Sequence, residues 1–171
     1  MKYRDEIDKC YGVAGMALSL SLFNADDKFS SITIDAENGF DCINFTPDYY
    51  IVYNPSLPAK ESWHNTLNNF QLSMALAIAD GICRRVVGER SEVDRELKRT
   101  LFKISCDEAS NLCQLEEDEV RNLFDEYFVY LNKVFANKTV KKVIKSIRDE
   151  LIKSRSIDRA DLLDMLTPLR H

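Results

Sequence analysis

The chain has 171 residues, 45% hydrophobic and 30% charged, with a formal net charge of −5. That is ordinary globular usage for one domain spanning 1–171, and it excludes a strongly basic protein but not a local basic patch. Only 5 Gly and 4 Pro exclude a disordered or loop-dominated chain.

The first ten residues mix three acids with three bases, the wrong flank for a secretory signal. The apolar run Gly12 to Phe23 has 12 residues, short of the ~20 that cross a bilayer. It reads instead as part of a buried helix over about 4–23, with Ile7, Tyr11, Ala14, Leu18 and Leu22 at helical spacing. Gly12 and Gly15 weaken that helix by roughly 1 kcal/mol each against Ala.

Phe29 to Asp35 predicts a strand, and Asn38-Gly39 between apolar runs predicts a hairpin returning through Phe40 to Thr46. Tyr49 to Tyr53 reads as a third strand, giving a small antiparallel hairpin or three-stranded meander over about 29–54. Everything beyond Pro55 reads as helix. Residues 59–87 carry apolar stripes on two faces, the mark of a central helix, and Gly88 is placed to stop it. Ser91-x-x-Asp94 resembles a capping box opening a helix whose apolar face is Val93, Leu97, Leu101 and Ile104, with Leu112 as a further candidate for burial at its end. A helix over about 116–136 opens on Glu116-Glu117-Asp118-Glu119, suited to the positive end of a helix dipole. Thr139 is placed to cap the next, and Asp158 a short last one ending before Pro168. The fold class is mainly α: a bundle of about five helices with a small antiparallel sheet near the N-terminus.

Five cysteines, at 10, 42, 83, 106 and 113, include no Cys-x-x-Cys pair. Reduced thiols fit this odd count better than a disulfide framework, which with the missing signal gives a cytoplasmic reading without a membrane partner. Cys42, Cys83 and Cys106 are nucleophiles only if a base lies beside them in space.

Catalytic material is thin. Glu61-Ser62-Trp63-His64 places a carboxylate and an imidazole on one helical face, but the di-iron bundles that use this spacing need a second copy, which is missing. No metal or cofactor is therefore expected. Asp80 interrupts a strongly apolar helix and needs a partner such as Arg84, one turn on. A hydrolase or metal enzyme centred on Glu61, His64 and Asp80 is one alternative. Ala79-Asp80-Gly81 resembles the Ala-Asp-Gly turn of tellurite-resistance-type helical domains, which implies a junction between helices at this point. The resemblance spans three residues, and Ile82, Cys83, Arg84 and Arg85 follow where those domains carry acids, so no metal site is implied.

Charge is more informative. Residues 107–126 hold eight acids against one base, or −7, and residues 133–159 hold nine bases against three acids, or +6. Lys138, Lys141, Lys145 and Arg148 form a basic stripe opposite Val140, Val143, Ile147 and Leu151. That stripe complements the acidic block of this chain or of a second subunit, or it supplies the phosphate contacts of a nucleic-acid-associated protein. Tyr49, Tyr50 and Tyr53 are further interaction candidates, since burying all three needs cover on both faces of a strand. The leading reading is a non-catalytic protein acting by protein–protein interaction or regulation, with a homodimer or other self-association as the favoured partner.

Overall fold

A computed structural model describes residues 2–50 and 56–169. The first helix, α1 (Glu6–Leu22), starts where the Asp5 carboxylate accepts from the backbone N–H of Asp8 at 2.7 Å. From Cys10 to Leu20 it is buried on all sides, which explains a composition without an amphipathic face. Its two glycines serve packing. A Cβ on Gly15 would lie 2.5 Å from the Cys83 Cβ and 2.8 Å from the Ala79 carbonyl, so Gly15 sets how closely α1 approaches the central helix.

β1 (Phe29–Thr33) and β2 (Ile43–Phe45) pair antiparallel, Ile32 opposite Ile43 and Phe29 opposite Phe45, with a bulge near Ser31. The predicted tight turn at Asn38-Gly39 does not form. Gly39 sits at φ −58°, ψ −45°, whereas the hairpin turn that favours Asn-Gly needs positive φ. Asn38 instead donates to the Asp41 carboxylate at 3.0 Å, and Phe40–Cys42 form a 3₁₀ turn that shortens the returning strand to three residues.

The predicted third strand is also corrected. Pro47–Tyr50 are the one-turn helix α2, and the rest of that segment, Tyr53 included, lies outside the described residues. The third strand comes from the far end of the chain. β3 (Ser156–Asp158) pairs with β1, Ile157 opposite Ile32, giving the order β2-β1-β3. Arg155, at φ 64°, ends the preceding helix and turns the chain into this strand.

The long helix α3 (Ala59–Cys83) runs into a π-helical turn, Arg84–Gly88. Ala79-Asp80-Gly81 lies inside this continuous helix, so the junction implied by the three-residue resemblance is absent. α4 (Arg95–Leu112) is capped by Asp94, which accepts from the Leu97 N–H at 2.7 Å, so the predicted start at Ser91 moves three residues on. α5 (Glu117–Ala136) has a capping box between Glu116 and Glu119. α6 (Lys138–Ser154) is capped by Asn137, not Thr139. α7 (Arg159–Leu166) follows β3, with Pro168 in the 3₁₀ turn after it.

α1 and α3 form the centre of the bundle, and α6 and the sheet cover α1. The molecule is mainly α, as the periodicity predicts. Among the described residues, no helix is long and apolar enough to cross a membrane.

Candidate functional site

The buried faces of α1 and α3 meet around charged groups. Asp8, 3% exposed, accepts from the Arg84 Nε at 3.1 Å and Nη2 at 2.6 Å, and from the Arg4 backbone N–H and Nη2 at 3.0 and 2.9 Å. Burial works against this carboxylate, but the hydrogen bonds from Arg84 and Arg4 outweigh it and hold its pKa well below the ordinary range. Arg84 also donates to the Lys2 carbonyl at 3.0 Å and lies 4.8 Å from the centre of the Tyr3 ring, which ties the N-terminal segment to α3.

Asp80 fares differently. The sequence pairs it with Arg84, and that ion pair forms at 3.9 Å, but Arg84 gives its hydrogen bonds to Asp8. Asp80 is 7% exposed, and among the described residues its Oδ1 has no hydrogen-bond partner. Burial raises its carboxyl to about 6, with Arg84 opposing the rise. Tyr3 Oη is also buried without a hydrogen-bond partner among the described residues, and burial, then the nearby Asp80, raise its pKa. Gly12 makes the room: a Cβ there would lie 2.1 Å from Asp80 Oδ1 and 2.9 Å from Tyr3 Cε1.

Asp80 and Tyr3 line a cleft of about 840 Å³ bounded by the N-terminal segment, α1, the 34–40 loop, α3 and α4. A cleft of this size with a few convergent polar groups and a perturbed carboxyl has the character of a ligand site. Tyr3, which lines the cleft, and Asp8, which takes the hydrogen bonds of Arg84, are not singled out by the sequence. Asp8, Gly12 and Gly15 share the spacing of one helical face, which marks a polar, close-packed seam.

Glu61 and His64 do not join Asp80. Both are exposed near the start of α3, and His64 lies sixteen residues, about 24 Å, from Asp80 along the same helix. Among the described residues, no three His, Cys, Asp or Glu side chains lie close enough to hold a metal ion. Burial raises the Cys42 thiol to about 11 and lifts the Cys83 and Cys106 thiols as well, which keeps all three protonated near neutral pH.

The basic stripe divides. Arg148 turns inward, donating to the Tyr11 hydroxyl at 2.6 Å and pairing with Asp149. Lys138 stays exposed at the start of α6. Lys141 and Lys145 line a second groove of about 620 Å³ with Arg90, Ser91, Asn132 and one carboxylate, Glu92, over Val86, Val87, Val93 and Ala136. Arg90 is held there at φ 58°, a left-handed conformation uncommon outside glycine. Among the described residues, none of Arg90, Lys138, Lys141 and Lys145 has an ion-pair partner, and no ion pair links residues 107–126 to residues 133–159.

Of the tyrosines, Tyr49 packs. Its ring stacks on Phe45 at 3.8 Å, and its hydroxyl lies 2.9 Å from Ser73 Oγ. Tyr50 is 67% exposed. A scan against protein-family models and searches of curated proteins and of solved structures find no match for this chain.

Proposed function

We propose that the chain is a non-catalytic, cytoplasmic interaction protein of one domain that binds a second copy of itself through opposite charge. The observation that carries this reading is that, among the described residues, no ion pair joins the two charge blocks and Arg90, Lys141 and Lys145 have no ion-pair partner. Arg90, Lys141 and Lys145 surround a groove with an apolar floor, and no carboxylate of the 107–126 block reaches them. The acidic block carries an exposed apolar residue as well: Leu112 is 52% exposed at the end of α4, and the exposed run Glu116 to Glu119 follows it in the chain. Leu112 supplies the apolar contact for Val86, Val93 and Ala136, and the carboxylates face the cations. Exposed ion pairs contribute only about 0.2–1 kcal/mol each, so the apolar floor has to supply much of the affinity. Each copy carries both faces, so reciprocal docking closes a two-fold dimer and one-way docking extends a chain.

Sedimentation velocity over a concentration series, at low and high ionic strength, tests this. Self-association that weakens with salt, and is lost in Lys141→Glu/Lys145→Glu, supports the proposal. A monomer at every concentration refutes it. The same cations favour a second reading, contact with nucleic-acid phosphates. It is supported if a mixed nucleic-acid pool binds with a steep salt dependence while the protein alone stays monomeric.

A further inference from the structure

We infer that the cleft between the N-terminal segment, α1, α3 and α4 binds a small organic cation: a primary ammonium group on an apolar body. The cleft's about 840 Å³ falls in the range of about 300–1,000 Å³ typical of small-molecule sites. Met16, Phe40, Ala77, Leu101 and Ile104 give it apolar walls. Asp80 is the charged group among them, more than nine-tenths buried, and its Oδ1 has no hydrogen-bond partner among the described residues. Tyr3 Oη, buried and equally unpartnered, borders the same space. A buried polar group without a partner is costly, and two in one cleft are each satisfied by a ligand that donates hydrogen bonds.

The sign of the ligand's charge follows from which lining groups are already engaged. Lys9 donates to the Ala36 carbonyl, and Arg155 pairs with Asp35 and Glu6. Arg84, the cation nearest Asp80, commits Nε and Nη2 to Asp8 and stays 3.9 Å away. Counting every charged residue that lines the cleft among the described residues, Asp5, Glu6, Glu37 and Asp80 stand against Lys2, Lys9 and Arg155, a balance that favours a cation. An ammonium on Asp80, with its apolar body along Ala77, Leu101 and Ile104, uses both halves of the cleft. This reading does not depend on self-association.

Isothermal titration calorimetry with hexylammonium and phenethylammonium, against the matched anions hexanoate and phenylacetate, tests the assignment. The ammonium probes are expected to bind and the carboxylates not to bind. Asp80→Asn keeps the shape, removes the charge and is expected to weaken binding about tenfold or more. Ile104→Trp, at a half-buried wall position away from the carboxylate, is expected to block the cleft, so the outcome does not rest on Asp80→Asn folding. Absence of binding by both ammonium probes, equal binding by the carboxylates, or wild-type affinity in a folded Asp80→Asn or Ile104→Trp protein overturns it.

Discussion

Replacing Asp8 with asparagine removes the charge that joins α1, the N-terminal segment and the π-helical turn. The wild-type carboxylate accepts four hydrogen bonds from Arg4 and Arg84. Asparagine offers one acceptor oxygen and points an NH₂ group at a guanidinium whose side chain is only 12% exposed. Removing one partner of a buried pair costs about 3–5 kcal/mol. Arg84 keeps the Lys2 carbonyl at 3.0 Å and Asp80 at 3.9 Å, and Arg4 keeps Glu89 at 2.7 Å. These residual contacts place the loss at the low end, about 3 kcal/mol. In a chain of this length that lowers Tm by about 6–12 °C, read by circular dichroism on heating. The pH dependence is a second check. The folded pKa of Asp8 lies below its unfolded value, so its contribution is full above the unfolded pKa of about 4 and fades as pH falls below it. The gap between wild type and variant therefore narrows below about pH 4. A loss under about 1 kcal/mol, or a gap unchanged in acid, refutes the assigned role of Asp8.

Asp80→Asn goes the other way. Its folded pKa of about 6 lies above the unfolded value of about 4, so ionisation costs stability progressively as pH rises from about 4 to 6, and the loss is complete above 6. The variant should be more stable than wild type by about 1–3 kcal/mol near neutral pH and equal to it below about pH 4, by urea unfolding; equal stability at neutral pH contradicts this. Gly15→Ala should cost about 1–3 kcal/mol in the same measurement, because the added Cβ meets the Cys83 side chain and the Ala79 backbone. A neutral effect would mean that α1 and α3 are not held this closely. Asp94→Ala should cost about 1 kcal/mol and speed hydrogen exchange in the first turn of α4, where the Leu97 N–H loses its acceptor.

The long helices are legible because their apolar spacing persists over four or more turns, as in Val120, Phe124, Leu131 and Phe135 of α5. β3 is not: Ser156-Ile157-Asp158 is too short to show alternation, and its pairing with β1 joins residues more than 120 positions apart. The Asn38-Gly39 hairpin misleads because the Asn38–Asp41 hydrogen bond and the 3₁₀ turn offer the same residues a right-handed conformation. At the cleft, Asp80 stands out in the sequence as a carboxylate in an apolar run. That Arg84 gives its hydrogen bonds to Asp8 is a tertiary competition across 76 positions that local spacing cannot show. The charge asymmetry is plain from composition, while the inward turn of Arg148 depends on Tyr11 of α1.

A charge-exchange experiment followed by sedimentation velocity tests self-association most directly. One chain carries Lys141→Glu/Lys145→Glu and the other Asp107→Lys/Asp118→Lys. Paired acid-to-base docking predicts that each variant alone is monomeric at low salt, and that their mixture forms a heterodimer which dissociates as salt is raised. Variants that associate as wild type does, or a mixture that stays monomeric while wild type self-associates, contradict it.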